Sequence, residues 1–261
     1  MKEQMILFDS HAHYTDAAFD ADRESLLAGF PEKGIVCCML AASDLESAQQ
    51  GLALANQFPF LINAVGVHPE CPLPPADYLE QLKVMASHPS VKAIGEIGLD
   101  YHYEGFDREA QQKMLCAQLD LARELDLPVI LHCRDAMGDM LPILRSYRPR
   151  GVMHCFSGSP ESAKEVLNLG LYIGFTGVLT FKNAKKPLAA LQAVPLERLL
   201  IETDCPYMAP VPYRGKRCDS TMLMETAAVM AREKGVSLTE IGRITAENAA
   251  LLFRCDLPLA E

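Results

Sequence analysis

Met5-Ile6-Leu7-Phe8-Asp9-Ser10-His11-Ala12-His13 sets four apolar residues before two histidines two positions apart. A short apolar run of this kind reads as a strand. Alternate side chains of a strand share a face, so His11 and His13 can reach one point at its end. Neutral imidazoles suit Zn, Fe, Mn and neighbouring ions, which makes the pair a candidate metal grip. Two histidines alone decide little. The pattern matters because the chain repeats it.

Seven more near-continuous apolar runs follow: Ile35–Leu40, Leu61–Val67, Val91–Ile97, Val129–Leu131, Gly151–Met153, Leu171–Phe175 and Leu199–Ile201. Runs of this kind are strands covered on both faces. Helical patterns separate them over Asp22–Lys33, Ser43–Gln57, Ala76–Ser87, Asp107–Leu125, Ala136–Tyr147, Pro160–Leu169 and Asn183–Gln192. Thr221–Lys234 and Ser237–Phe253 follow the last run. Ser43 with Glu46 and Ser237 with Glu240 fit capping boxes, and Ser159-Pro160 puts Pro at a first helical position. Gly34, Gly170 and Gly235 stand where helices should stop. Alternating units predict a parallel sheet, and eight of them in about 250 residues match a (β/α)8 TIM barrel. An open doubly wound sheet would use fewer strands and a glycine-rich phosphate turn, and the chain has neither feature. No linker or low-complexity tract divides it, so residues 1–261 are expected to form a single barrel domain.

The composition, 49% hydrophobic and 22% charged, is that of a globular protein. No apolar run approaches the roughly 20 residues of a membrane span. Nine cysteines, an odd number without a C-x-x-C pair, argue against a disulfide scaffold. A soluble, cytoplasmic protein is expected, without a membrane or an obligate protein partner. The net charge of -10 excludes nucleic-acid binding through bulk charge. A polyanionic substrate would need local cations or bound metal.

Barrel sites gather where strands end. There the chain places His11 and His13, then His68, Glu96, His132, His154 and Asp204, so five of its seven histidines occupy such positions. Glu96 interrupts an apolar run, and a buried carboxylate is costly unless paired or metal-bound. Four imidazoles (His11, His13, His132, His154) with two carboxylates (Glu96, Asp204) exceed one tetrahedral ion. They suit two ions about 3.5–4 Å apart with a bridging carboxylate, for which Glu96 is placed best. Cys133 and Cys155 each follow a candidate ligand directly and should point the other way.

At these positions the sequence resembles the TatD family of metal-dependent hydrolases within the amidohydrolase-like barrels. The resemblance is carried by Leu7-Phe8-Asp9-Ser10-His11-Ala12-His13, Gly95-Glu96-Ile97-Gly98-Leu99-Asp100-Tyr101, Pro128-Val129-Ile130-Leu131-His132-Cys133-Arg134-Asp135-Ala136, His154-Cys155-Phe156-Ser157-Gly158 and Glu202-Thr203-Asp204-Cys205-Pro206-Tyr207. It implies a barrel and a deoxyribonuclease, with 3′→5′ exonuclease action among the activities implied. It further implies that His11, His13 and Asp204 hold one ion, His132 and His154 a second, and Glu96 both. Two departures stand out. Tyr14 replaces a small apolar residue, and Cys218-Asp219-Ser220 stands where many relatives have Asn-Glu-Pro.

The expected cofactors are two divalent ions, Zn, Mn or Mg. Bound ions lower the pKa of water towards about 7, with Asp204 as candidate general base. Glu96 is a catalytic candidate as the bridge. Arg134 shares a face with His132 and can pair with a phosphate. Lys182, Arg214, Lys216 and Arg217 are further candidate substrate contacts, since loops after the seventh and eighth strands often build phosphate sites, and His68, at the end of the third run, is another. DNA or another phosphate-containing molecule is the expected substrate. The alternative is hydrolysis of an amide, lactone or aminoacyl ester, aminoacyl-tRNA included.

Overall fold

A computed structural model describes residues 5–257; the two ends of the expected 1–261 unit lie outside the described residues. Eight strands form one sheet: β1 (Leu7–Ala12), β2 (Ile35–Ala41), β3 (Leu61–Val65), β4 (Val91–Asp100), β5 (Val129–Arg134), β6 (Gly151–Met153), β7 (Tyr172–Phe175) and β8 (Leu199–Ile201). Each pairs in parallel with the next, in chain order. The sheet then comes round on itself. Ala12 bridges Cys205, Asp204 N donates to His11 O at 3.0 Å, and His13 N donates to Cys205 O at 2.9 Å. This is the (β/α)8 TIM barrel that the alternating runs predict. Every run is a strand, but β1, β4 and β5 extend beyond their runs. His11 and His132 therefore sit within strands rather than after them, as Glu96 does in the expected run itself.

The helices are α1 (Arg23–Ala28), α2 (Leu45–Gln57), α3 (Tyr78–Met85), α4 (Arg108–Glu124), α5 (Met137–Tyr147), α6 (Pro160–Asn168), α7 (Lys185–Ala193), α8 (Leu223–Lys234) and α9 (Leu238–Phe253). The pattern over Asp22–Lys33 breaks into α1 and a separate 3-10 turn, Pro31–Lys33. Pro31 has no N–H to continue the ladder, and its ring clashes with the preceding turn. The cap of α2 also differs from expectation by one residue. Asp44 is its N-cap and forms the box with Ser47, so Glu46 is not part of it. Ser159 and Ser237 cap α6 and α9 as expected. Gly34, Gly170 and Gly235 all take positive φ, where a Cβ would strain the backbone.

Two apolar clusters account for the continuous runs. One, which includes Leu7, Cys38, Val129 and Ile201, packs the sheet against the helices. The other takes alternate residues from all eight strands, among them Phe8, Met39, Ile62, Ala93, Ile130, Val152, Tyr172 and Leu200. By the pleat these point into the barrel. Ala246, Ala249, Leu252 and Phe253 of α9 join that inner cluster, with the Phe253 ring 6.1 Å from Phe8. Burying each such ring contributes roughly 1.5–3 kcal/mol. The same alternation continues upward from the packed interior. Ile130 leads to His132 and Arg134, Val152 to His154, and Leu200 to Glu202 and Asp204. The chemistry thus rests directly on the core. No described helix is long and apolar enough to cross a membrane.

Candidate metal centre

Glu96 is 3% exposed and stands at the middle of the converging side chains. Its Oε2 faces His11 Nε2 at 3.2 Å and His13 Nε2 at 3.5 Å. Its Oε1 faces His154 Nε2 at 2.6 Å and His132 Nδ1 at 2.8 Å. One carboxylate oxygen is therefore turned to each pair of histidines. Asp204 Oδ1 closes the first set, 3.3 Å from His13 Nε2 and 3.6 Å from His11 Nε2. The six sequence candidates for metal ligation thus meet around one carboxylate.

The donor chemistry fits cations. His11 Nε2 and His13 Nε2 face each other at 3.0 Å, and His132 Nδ1 and His154 Nε2 at 3.2 Å. Two neutral imidazoles can share only one proton across such a gap, so lone pairs are turned upon a common point. The far nitrogens explain why. His13 Nδ1 donates to Ala41 O at 3.0 Å, and His132 Nε2 to Asp100 Oδ2 at 3.0 Å. Each ring has its N–H anchored outward and its lone pair directed inward, as ligating histidines are held. His154 Nδ1 is 3.6 Å from Glu202 Oε1, and His11 Nδ1 has no hydrogen-bond partner. Cysteines do not enter: the donor groups within reach of one ion draw on His, Glu and Asp among the described residues.

Burial alone would push Glu96 up, but His154, His11 and His68 around it hold it well below the usual carboxylate range. Asp204 is likewise held low against its burial, by His13, His154 and His11. Burial opposes a proton on His154, yet Glu96 and Glu202 raise it well above an ordinary imidazole. His13 and His132 are raised by their carboxylates, whereas burial and His154 lower His11. A metal-free cluster holds itself together by sharing protons that cations would replace.

Sequence reasoning gave no role to the acids beneath the donors. Glu202, two residues before Asp204 on the inward face, accepts from Ser10 Oγ at 3.2 Å and from the Cys155 amide. Any Cβ at Gly174 would strike its carboxylate. Asp9 takes four donors, His11 N, Thr203 N, Thr203 Oγ and Ser220 Oγ, at 2.6–3.3 Å. Burial nevertheless pushes it up to about 7. The signal for Glu202 and Asp100 was available in the two-residue alternation. Asp135, Cys155 and Asp204 take positive φ (54°, 44° and 59°) beyond the strand ends. Such strain in non-glycine residues collects at functional sites.

A cleft of about 1260 Å³ opens over the donors. Arg134, Tyr103, Tyr207 and Met208 line it, together with His68. Arg134 Nη1 donates to Tyr103 Oη at 3.4 Å, with the guanidinium 5.2 Å from that ring's centre. The other lining cation, Arg23, is tied to Asp20 and to backbone carbonyls. Lys182, Arg214, Lys216 and Arg217 are not among the lining residues. Arg217 makes two 2.7 Å bonds to Asp22, and Arg214 lies 3.7 Å over the Phe181 ring. Asp16, Asp20, Asp44, Glu46 and Glu70 make the cleft's rim acidic.

A family model described as TatD related DNase matches residues 8–254. Over 253 residues the chain is 37% identical to the uncharacterized metal-dependent hydrolase YabD of Bacillus subtilis (strain 168), covering 95% of this chain and 99% of the relative. It is 34% identical over 258 residues to the 3′-5′ ssDNA/RNA exonuclease TatD of Pectobacterium parmentieri (strain WPP163), covering 95% and 99%. Among solved structures, the TatD homolog YJJV of Escherichia coli K12 superposes with a TM-score of 0.90 at 32% identity, covering 96% of this chain and 98% of that one.

Proposed function

We propose that this chain, which belongs to the TatD family of DNase-related metal-dependent hydrolases, is a single-domain phosphodiesterase that cleaves single-stranded DNA from an end. The observation that carries this reading is the division of Glu96, whose two oxygens each face a separate pair of histidines. That division supports two divalent ions, Zn, Mn or Mg. Asp204 would join His11 and His13 on one side, and Glu96 would bridge to His132 and His154 on the other. Ions held there supply the Lewis acidity that makes water a nucleophile at neutral pH.

The chain's own residues supply the rest. Asp204, held ionised by the histidines, accepts the proton of the attacking water and orients it. Arg134, on the same strand face as His132, binds a phosphate beside the reacting one. Tyr103 and Tyr207, 57% and 56% exposed, offer stacking faces to bases. An acidic rim with one lining arginine that pairs with a tyrosine rather than a carboxylate suits a strand end engaged over few phosphates. The amide, lactone and aminoacyl-ester alternative is not favoured, because the relative with a stated activity acts on nucleic acid.

The test is hydrolysis of end-labelled single-stranded DNA by purified protein. It is run after chelation and again after adding Zn²⁺, Mn²⁺ or Mg²⁺. Metal-restored shortening from one end supports the reading. Failure with every ion, on DNA and on a small chromogenic phosphodiester, removes it.

A further inference from the structure

His68 stands apart from the other histidines of the cluster. Its Nε2 lies 3.5 Å from Glu96 Oε1, and its ring packs edge-on against His132 with centroids 4.4 Å apart. Distance alone would count it with Glu96 and His132 as one more set of donors. Its hydrogen bonds say otherwise. The backbone N–H of Glu70 donates to His68 Nδ1 at 3.2 Å. Nδ1 is therefore the acceptor, and the ring's proton sits on Nε2. At His13 and His132 the polarity is reversed: the outer nitrogen gives its proton to Ala41 O or Asp100, and the inner one keeps its lone pair. An imidazole with N–H directed inward cannot ligate a cation through that atom. It can donate a hydrogen bond.

The loop holds this orientation firmly. His68 N donates to Ser43 O at 2.8 Å, Cys71 N to His68 O at 3.0 Å, and Cys71 Sγ also meets Ser43 O. The Glu70 carboxylate is 3.9 Å from Nδ1, beyond hydrogen-bond reach. The ring lines the same cleft as Arg134 and Tyr103. We infer that His68 is not a metal ligand, but a fixed N–H donor to an anionic phosphoryl oxygen of a substrate held at the metals. This rests on the phosphodiesterase reading for the identity of that oxygen. A preorganised donor of this kind acts most where negative charge builds during reaction.

The experiment compares His68→Ala and His68→Gln with wild type, all loaded with metal. A glutamine amide can place an N–H near the Nε2 position. Three quantities are read: metal equivalents per chain, affinity for inorganic phosphate by calorimetry, and kcat and KM on single-stranded DNA. Both variants should keep the wild-type metal content. His68→Ala should bind phosphate about tenfold more weakly and lose roughly 10²-fold in kcat with little change in KM. His68→Gln should recover part of both. Loss of a metal equivalent in His68→Ala would make His68 a ligand and overturn the inference. So would phosphate binding equal to wild type, or a wild type that binds no phosphate. If wild type binds phosphate with this dependence on His68 yet cleaves no DNA, the nuclease reading falls and the donor role stands. Should His68→Ala fail to fold, His68→Gln decides by the same readings.

Discussion

Asp100 Oδ2 lies 3.0 Å from His132 Nε2, and that one contact settles which nitrogen of His132 faces Glu96. The Asp100 side chain is fully buried, and its other oxygen accepts from His102 N at 2.8 Å. Gln111 brackets the same residue, bonding its backbone N–H and C=O at 2.8 Å each. A carboxylate held this rigidly fixes the imidazole tautomer and raises its basicity as a ligand. Asp100→Asn is expected to weaken retention of one metal equivalent by roughly 10–100-fold, measured by competition with a chelator. The second equivalent should be held as in wild type. Unchanged retention of both would show that Asp100 serves only the loop.

Much of the fold was legible because a barrel strand is covered on both faces, which leaves an unmistakable run such as Val129–Leu131. The convergence on Glu96 was legible for a related reason, since an acid inside such a run must find partners. Other features could not be read from spacing. Arg217 looked available, but its partner Asp22 is 195 residues away in sequence. The two-residue alternation puts Asp100 and Glu202 on the inward face, but sequence order does not show which histidine each lies under. The two departures from the family pattern proved to be one feature. Tyr14 Oη meets Ser220 Oγ at 2.8 Å and accepts from Ser220 N at 2.7 Å, and Ser220 Oγ then donates to Asp9.

Protonation gives a prediction whose sign differs with and without metal. In the stripped protein His13, His132 and His154 are raised, so the folded state binds more protons than the unfolded chain. Their stabilisation is fully present below the ordinary imidazole value of about 6.5 and is lost as pH rises through the raised values. His11, lowered, acts in the opposite sense but is single. The melting temperature of chelated protein should therefore fall from about pH 6.5 upward. Metal needs deprotonated ligands, so the increment from saturating metal should grow over the same range. Calorimetry at several pH values checks both, and an increment that shrinks as pH rises would contradict the account.

The cleft's charge makes a further distinction. Arg134→Ala should raise KM for single-stranded DNA about tenfold, as loss of a charge-assisted bond does. It should also flatten the salt dependence by about one contact, near 0.7 in log-log slope. Arg217→Ala breaks the pair with Asp22 and should leave KM and that slope close to wild type. Steady-state kinetics at several salt concentrations separate them. The reverse pattern would put the eighth-strand loop, not the cleft wall, against the substrate.

The most direct measurement titrates stripped protein with Mn²⁺ while following both bound metal and turnover of end-labelled single-stranded DNA. Turnover should be absent without metal and should saturate at two equivalents per chain. In Asp204→Asn the metal should bind more tightly than in His11→Ala, yet turnover should remain roughly 10²-fold or more below wild type. Turnover by the stripped chain, or full turnover at a single equivalent, would contradict a centre built on the two faces of Glu96.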